Sequence, residues 1–557
     1  AGETASFELP TSGGATLNRI VGGASSTIAG TIRSNGTVFF VNPNGMLFNG
    51  TTQQSINAAS FIVYTGVVNT NDFMRQQPLN LETPTASTTP TISISTPITV
   101  TSGGFVGVYG PQVAVTGKIV TNGGTVAIVS YNRNLTVGAV TSQGGEVRLT
   151  SGGNITLSGT LDLASGVIRL TSTASATRTV TSGGDGIGTI TNSSDIIADR
   201  LSITSSGQGS VTLNNVHIAR LGDVTLSTPQ GDKLFSLTNR RELTVDGAIS
   251  LYGALALKTV DSPSYGITIS SAITVNQIQS AANNPINTSA NLVSLNINSA
   301  GSLTTSGDVF VSGDATVTAS DDVSIGANLV AMQQFGTGDP TRGNLTLAST
   351  NGGLVTTGTT VGLKSLTVSA ATGIELGRLG SKGDIRVTKS CSVIGCTQIA
   401  GDITLNGSVF DYDYPDAVVS AKVQNLSISN SYGNTVLNHL IEVDKNITIE
   451  AINGSVTQNE SQYGIVSRNG KINLRSTSSN DAVGILVRNL AAQTLFTDAR
   501  GTTVVTAMRD AIVLESDSDI VVETSYSTTA TGRAATLQSD FGSIKLTSTN
   551  GSISVLG

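Results

Sequence analysis

A chain of 557 residues with 12% charged residues, 63 glycines and no tryptophan departs from globular composition, in which about a quarter of residues are charged. Its 37 acidic and 30 basic residues give a net charge of −7, which excludes a nucleic-acid or anionic-membrane binder held by a basic face. No run approaches the ~18 apolar residues of a membrane-spanning helix, and Cys391, Cys396, His217 and His439 are too few and scattered for a thiolate or imidazole metal centre.

The chain opens Ala1-Gly2-Glu3 without a basic and apolar leader, which fits a mature end after signal removal and a fragment boundary equally. Residues 18–50 then read as strand (Ser26–Ile32), Asn35-Gly36 corner, strand (Thr37–Val41), Asn42-Pro43-Asn44-Gly45 corner and strand. Pro43 presets φ at the second turn position, Asn44 tolerates the third and Gly45 fits the fourth, which predicts a tight type I-like turn.

These elements resemble the secretion domain of two-partner-secretion exoproteins, the filamentous-haemagglutinin-type adhesins and haemolysins of Gram-negative bacteria. The resemblance rests on Asn18-Arg19, Ser26 to Gly30, Asn35-Gly36, Asn42 to Met46, Ser55–Ile62 and Asn71-Asp72-Phe73, in order. Met46 stands where the family usually has Ile, and the family's second motif, Asn-Pro-Asn-Leu, has no clear copy. The resemblance implies a right-handed β-helix with an N-terminal cap and extra-helical hairpins, over residues 1–235, continuing as a β-helical rod over 236–557. It also implies secretion to the cell surface through an outer-membrane transporter partner that reads Asn18, Arg19, Asn42, Pro43, Asn44 and Gly45. On that reading, replacing Asn42 and Asn44 by Ala stops export and barely changes stability.

Residues 66–100 break the strand pattern, with Pro78, Pro84, Pro90 and Pro97 in a Thr/Ser-rich run. Proline lacks the N–H that an interior ladder needs, so this stretch is expected to leave the helix body as a hairpin or loop. Four lines then nearly superimpose: Gly103–Val108, Gly123–Ile128, Gly144–Leu149 and Ser165–Leu170. Their equivalent residues Val106, Val126, Val147 and Ile168 stand 20, 21 and 21 residues apart. Within each line the apolar pair flanks Gly107, Ala127, Arg148 or Arg169, so the local period is two and these intervening residues are expected to face solvent. The lines lack the Leu-x-x-Leu-x-Leu frame of leucine-rich repeats. A strand recurring at this interval, with Gly, Asn and Ser corners, predicts an all-β parallel β-helix with turns of about 20–21 residues.

Ser280–Asn287, around Pro285, reads as an excursion. A second series follows in Leu345/Leu347, Leu366/Val368, Ile385/Val387, Ile403/Leu405, Leu426/Ile428, Ile447/Ile449 and Ile472/Leu474, at steps of 21, 19, 18, 23, 21 and 25 residues. Cys391 and Cys396 are read as a small disulfide-closed loop, which would belong outside the cytosol, with two thiols as the alternative. Phe410–Asp416 is expected to loop out of the series. Asp411 with Asp413, and Asp517 with Asp519, offer alternating oxygens as weak calcium candidates, against solvated turns as the plainer reading. Asp321-Asp322 and Lys382-Gly383-Asp384 read as corners. Asn-x-Ser/Thr sequons at Asn134, Asn154, Asn344, Asn406, Asn425 and Asn446, among others, arise readily in so Ser/Thr-rich a chain. The last residues, Gly542–Leu556, still alternate as interior strands, so further turns or end-to-end docking are expected beyond them.

No nucleophile elbow, phosphate loop or histidine dyad is found, so no catalysis and no cofactor are expected. The leading reading is a secreted surface adhesin or filamentous exoprotein, meeting a host-cell, glycan or matrix receptor. The alternatives are a fibre subunit self-associating end to end, and a β-helical carbohydrate-active enzyme or haemolysin-type toxin.

Overall fold

The computed structural model describes residues 2–50, 53–75, 90–174, 187–228, 233–276, 294–332, 343–390, 401–411, 423–459, 464–477, 483–488, 490–492, 495–497, 503–505, 508–523, 537–539 and 542–556. The chain divides into two compact units, residues 1–265 with 278–291 and residues 266–277 with 292–557. Each is a parallel β-helix.

In the first unit the opening turns are β1 (Thr4–Phe7), β2 (Ala15–Arg19) and β3 (Ser26–Ile28), then β4 (Thr31–Ser34), β5 (Thr37–Val41) and β6 (Met46–Phe48), then β7 (Ile56–Ala58), β8 (Ser60–Tyr64) and β9 (Thr91–Ile94). β1 stacks parallel on β4, β2 on β5 and β3 on β6, so three strands make one turn and three sheets run along the helix. Alternation follows from the pleat: one side-chain parity points inward, the other outward. Val38, Phe61, Val106, Val126, Val147 and Ile168 form one inward column, all buried, so the short-period lines are in register as read from sequence. Each such side chain contributes roughly 1.5–3 kcal/mol of burial. Near the start the interior between the sheets is aromatic: Phe48 meets Phe40 at 5.8 Å and Phe61 at 5.6 Å between ring centroids.

The corners are bound by Asn and Asp side chains that reach the next turn. Asn134 Oδ1 accepts the Asn154 N–H at 2.9 Å, and Asn154 Oδ1 accepts that of Thr189 at 2.8 Å. In the second unit Asn425 accepts from Asn446 N at 3.1 Å, and Asn446 from Lys471 N at 3.0 Å. Four of the sequons are therefore corner ladders, with each amide oxygen satisfying the backbone donor of the following turn.

Three expectations are corrected. Ile385 pairs with Leu426, while Ile403 pairs with Ile374 and Thr435, so Ile403/Leu405 belongs to a neighbouring sheet and not to the series. The three sheets share one alternation, and spacing alone does not separate them when turn lengths vary. Second, the chain rejoins the helix well before residue 100: β9 pairs with β6, and Ile98–Ser102 pairs with β7. Pro90 and Pro97 sit just before these strands, where no ladder N–H is required. Third, Gly107 and Ala127 are buried and do not face solvent, the rings of Phe105 and Tyr109 closing over Gly107. Pro78, Pro84, residues 280–287, Cys391, Cys396, Asp413 and Asp416 lie outside the described residues.

The second unit also carries an antiparallel hairpin beside its parallel ladder, with Leu495 opposite Val505 and Thr497 opposite Thr503.

Candidate recognition site

β2 brings Asn18 and Arg19 onto the first turn, and the Asn42–Gly45 corner closes the second. Asn18 Nδ2 donates to the Phe39 carbonyl at 3.1 Å, fixing β2 on β5. Asn42 is buried and saturated: its N–H donates to the Tyr64 carbonyl at 3.1 Å, and its own carbonyl accepts Gly45 N at 3.2 Å, the bond of the expected turn. Its Oδ1 accepts Asn44 N at 2.9 Å, while its Nδ2 donates to the Ala24 carbonyl at 3.2 Å and Ser26 Oγ at 2.9 Å. Asn44 Nδ2 adds a bond to the Gly22 carbonyl at 2.7 Å. Gly45 has φ +100°, and a Cβ there would lie 2.6 Å from the Thr91 carbonyl oxygen, so only glycine fits. Asn42 therefore carries a stability role that the sequence reading did not assign, and Pro43 and Asn44 are the exposed part of the motif.

Arg19 holds an element that leaves the helix. Residues 65–75 form a strap with one short helical segment, α1 (Thr70–Met74), whose N-cap Asn69 accepts from Asn71 N at 2.9 Å. The Arg19 guanidinium donates to the Val68 carbonyl and, at 3.1 Å, to Thr70 Oγ1. Under the strap lies an outward cluster of Val41, Tyr64 and Val68, with Leu17, Phe73, Tyr109 and Tyr131 packed against it. Phe73 meets Phe39 edge-on at 5.3 Å, and the ring of Tyr64 fills the space over Gly66. Burial, with the neighbouring phenols of Tyr64 and Tyr109, pushes the Tyr131 hydroxyl pKa well up.

The signal for this cluster was present in the sequence. Val38-Phe39-Phe40-Val41 and Phe61-Ile62-Val63-Tyr64 are apolar at consecutive positions, the mark of a strand buried on both faces. Beyond Ala127 the same outward column becomes Arg148 and Arg169, stacked in register. Glu146 meets Arg148 at 2.6 Å and Arg169 at 2.8 Å, and these partners hold its carboxyl below the usual range.

Two clefts flank the Asn42–Gly45 corner. One, of ≈ 560 Å³, is bordered by Ser25, Asn44, Met46, Leu47 and Thr91. The other, of ≈ 260 Å³, joins both motifs, with Arg19, Val21, Val41, Pro43 and Val67 around it. Val21 at 90%, Val67 at 75% and Met74 at 73% exposed leave apolar side chains in solvent on this part of the surface.

The other sequence candidates divide. Asp519 Oδ1 accepts Ser552 N at 2.6 Å, and Asp322 Oδ1 accepts Gly353 N at 2.7 Å, so both serve corner ladders. Asp384 likewise accepts from Asn425 Nδ2 at 2.8 Å. Asp411 ends the strand Val409–Asp411, and Asp517 N bonds the Ser476 carbonyl at 3.3 Å. Among the described residues no three His, Cys, Asp or Glu side chains gather as a metal site.

No curated protein matches the chain. Residues 1–213, which contain both motifs, both clefts and the strap, match the TPS secretion domain, and this match supports a two-partner-secretion exoprotein of the filamentous-haemagglutinin type.

Proposed function

We propose that this protein is a secreted surface adhesin, exported through an outer-membrane transporter whose periplasmic domains read the face around Pro43 and Asn44. The observation that carries the reading is the exposed corner between two clefts, ringed by solvent-exposed Val21 and Val67, inside the residues matched to the secretion domain. Apolar side chains in solvent on a closed, well-packed scaffold mark a surface that is covered by a partner during the protein's life. Export recognition is assigned to residues 1–235. Attachment to a host-cell, glycan or matrix receptor is assigned to the turns of residues 236–557, where one sheet presents the polar outward column of Thr346, Thr367, Arg386, Ser427, Thr448 and Asn473.

The test is secretion with the transporter present. Val21→Glu with Val67→Glu leaves the buried Asn42 network intact, and is expected to cut secreted protein about tenfold or more while the thermal midpoint of the purified protein stays unchanged. Secretion at the wild-type level would overturn the assignment of this face. Adhesion is checked separately, by binding of the purified protein to cells, matrix and a glycan panel. Loss of such binding on removing residues 236–557, with export retained, is the expected result.

A further inference from the structure

Lys389 is a buried amine in the second unit that the export reading does not use. It ends the strand Asp384–Lys389 and pairs in register with Asn430, the last residue of Leu426–Asn430. Both point inward, at 1% and 0% exposure. Three sets of contacts bring the two side chains to one corner. Lys389 Nζ donates to the Tyr432 carbonyl at 2.7 Å, and Tyr432 N donates to Asn430 Oδ1 at 3.2 Å. Asn430 Nδ2 donates to the carbonyls of Gly401 at 3.1 Å and Asn434 at 2.8 Å. A methyl group on Gly401 would sit 3.0 Å from Lys389 Cε, so the lysine stem runs over the residue whose carbonyl holds the Asn430 amide. Asp402 follows Gly401 and accepts Asn434 N at 2.9 Å.

We propose that Lys389 and Asn430 join in an intramolecular amide cross-link, with Asp402 as the proton relay. Burial lowers the Lys389 pKa and favours the neutral, nucleophilic amine, while the Asp402 charge opposes that shift. The Nζ lone pair attacks Asn430 Cγ. The Nζ–Cγ bond forms, the Cγ–Nδ2 bond breaks, and a proton carried by the Asp402 carboxylate from Nζ to Nδ2 releases one molecule of ammonia. No oxidant or cofactor enters the balance. The link spans 41 positions, from 389 to 430, about two turns' worth of chain inserted between adjacent strands. It fastens a place where two adjacent strands of the ladder are joined by a long connection.

Peptide mapping of the natively folded full chain decides the matter. The expected result is a branched tryptic peptide joining Lys389 to Asn430, lighter by one ammonia, with no cleavage after Lys389. Cleavage after Lys389 together with an unmodified Asn430 peptide would overturn the proposal, and this reading needs no variant to fold. Asp402→Ala is expected to lower the rate of linking about a hundredfold with unchanged circular dichroism. Full linking at the wild-type rate in that variant would remove Asp402 from the reaction. The outcome is independent of export, because it is read on protein purified from any compartment.

Discussion

The turns from β5 to Thr125–Ser130 and the turns from Asn344 to Ser476 share an inward code and differ in their outward one. Inside, both stack mainly Val, Ile and Leu, with Phe61 in the first and inward polar residues such as Lys389 and Asn430 at corners of the second. Outside, the first carries Phe39, Ile62, Gly107 and Ala127 in register, with the strap packed on Phe39, whereas one sheet of the second carries Thr346, Thr367, Arg386, Ser427, Thr448 and Asn473, although a neighbouring sheet there buries Val361 and Gly380. The inward columns make the fold and are nearly interchangeable along the chain. The outward columns record what sits on each stretch, and the strap sits where they turn apolar.

The comparison breaks most visibly from within. Phe61→Ala removes one ring of the interior cluster with Phe40 and Phe48 and is expected to cost about 3–5 kcal/mol in urea unfolding. Thr367→Ala, outward on a polar column, is expected to stay within about 0.5 kcal/mol. Asn42→Ala strips the second corner of its side-chain bonds, with an expected loss of about 2 kcal/mol by the same measurement. A value near zero would mean that the first turns do not depend on that corner. Phe73→Ala loosens the strap through the lost ring contact with Phe39, about 1 kcal/mol, and sharpens the contrast if the second unit's unfolding is unmoved.

A smaller effect separates two groups of the first unit by pH. Lys233 is buried, its Nζ bonded to the Thr228 carbonyl, and desolvation pushes its pKa from 10.5 down to about 8. Between those values the unfolded chain binds more protons than the folded one, so stability rises with pH across this window and the deficit is full below it. Tyr131 has the opposite shift: its folded value lies above the ordinary 10.0, so stability is full below that pH and falls as pH rises past it. The first unit should therefore be most stable in mildly alkaline buffer, and Lys233→Met should flatten the rising limb of a melting-temperature profile.

The fold class and the register of the lines from Val106 to Ile168 were legible because one strand recurred with little change in turn length. The membership of Ile403 was not, because each of three sheets repeats the same alternation and only the intervening chain lengths tell them apart. At the site, the Asn42–Gly45 turn was legible from Pro43 and Gly45. The burial of Asn42 was not, since its partners Ala24 and Ser26 lie on the preceding turn. The departure after residue 65 was legible from the loss of the strand pattern, its end was placed too late, and two wholly apolar strands, Val38–Val41 and Phe61–Tyr64, announced the covered outer face that the strap packs on. Lys389 gave no signal at all: a lysine ending a strand looks exposed until its register with Asn430 is known.

The absence of tryptophan gives the outer cluster a further meaning. Ultraviolet emission from this protein comes from its 10 tyrosines, and Tyr64, Tyr109 and Tyr131 stand together around the strap. The chain thus carries a built-in optical reporter on the face assigned to the transporter. Quenching, lifetime or near-ultraviolet dichroism of native protein would follow engagement of that face in real time, without a dye or a mutation.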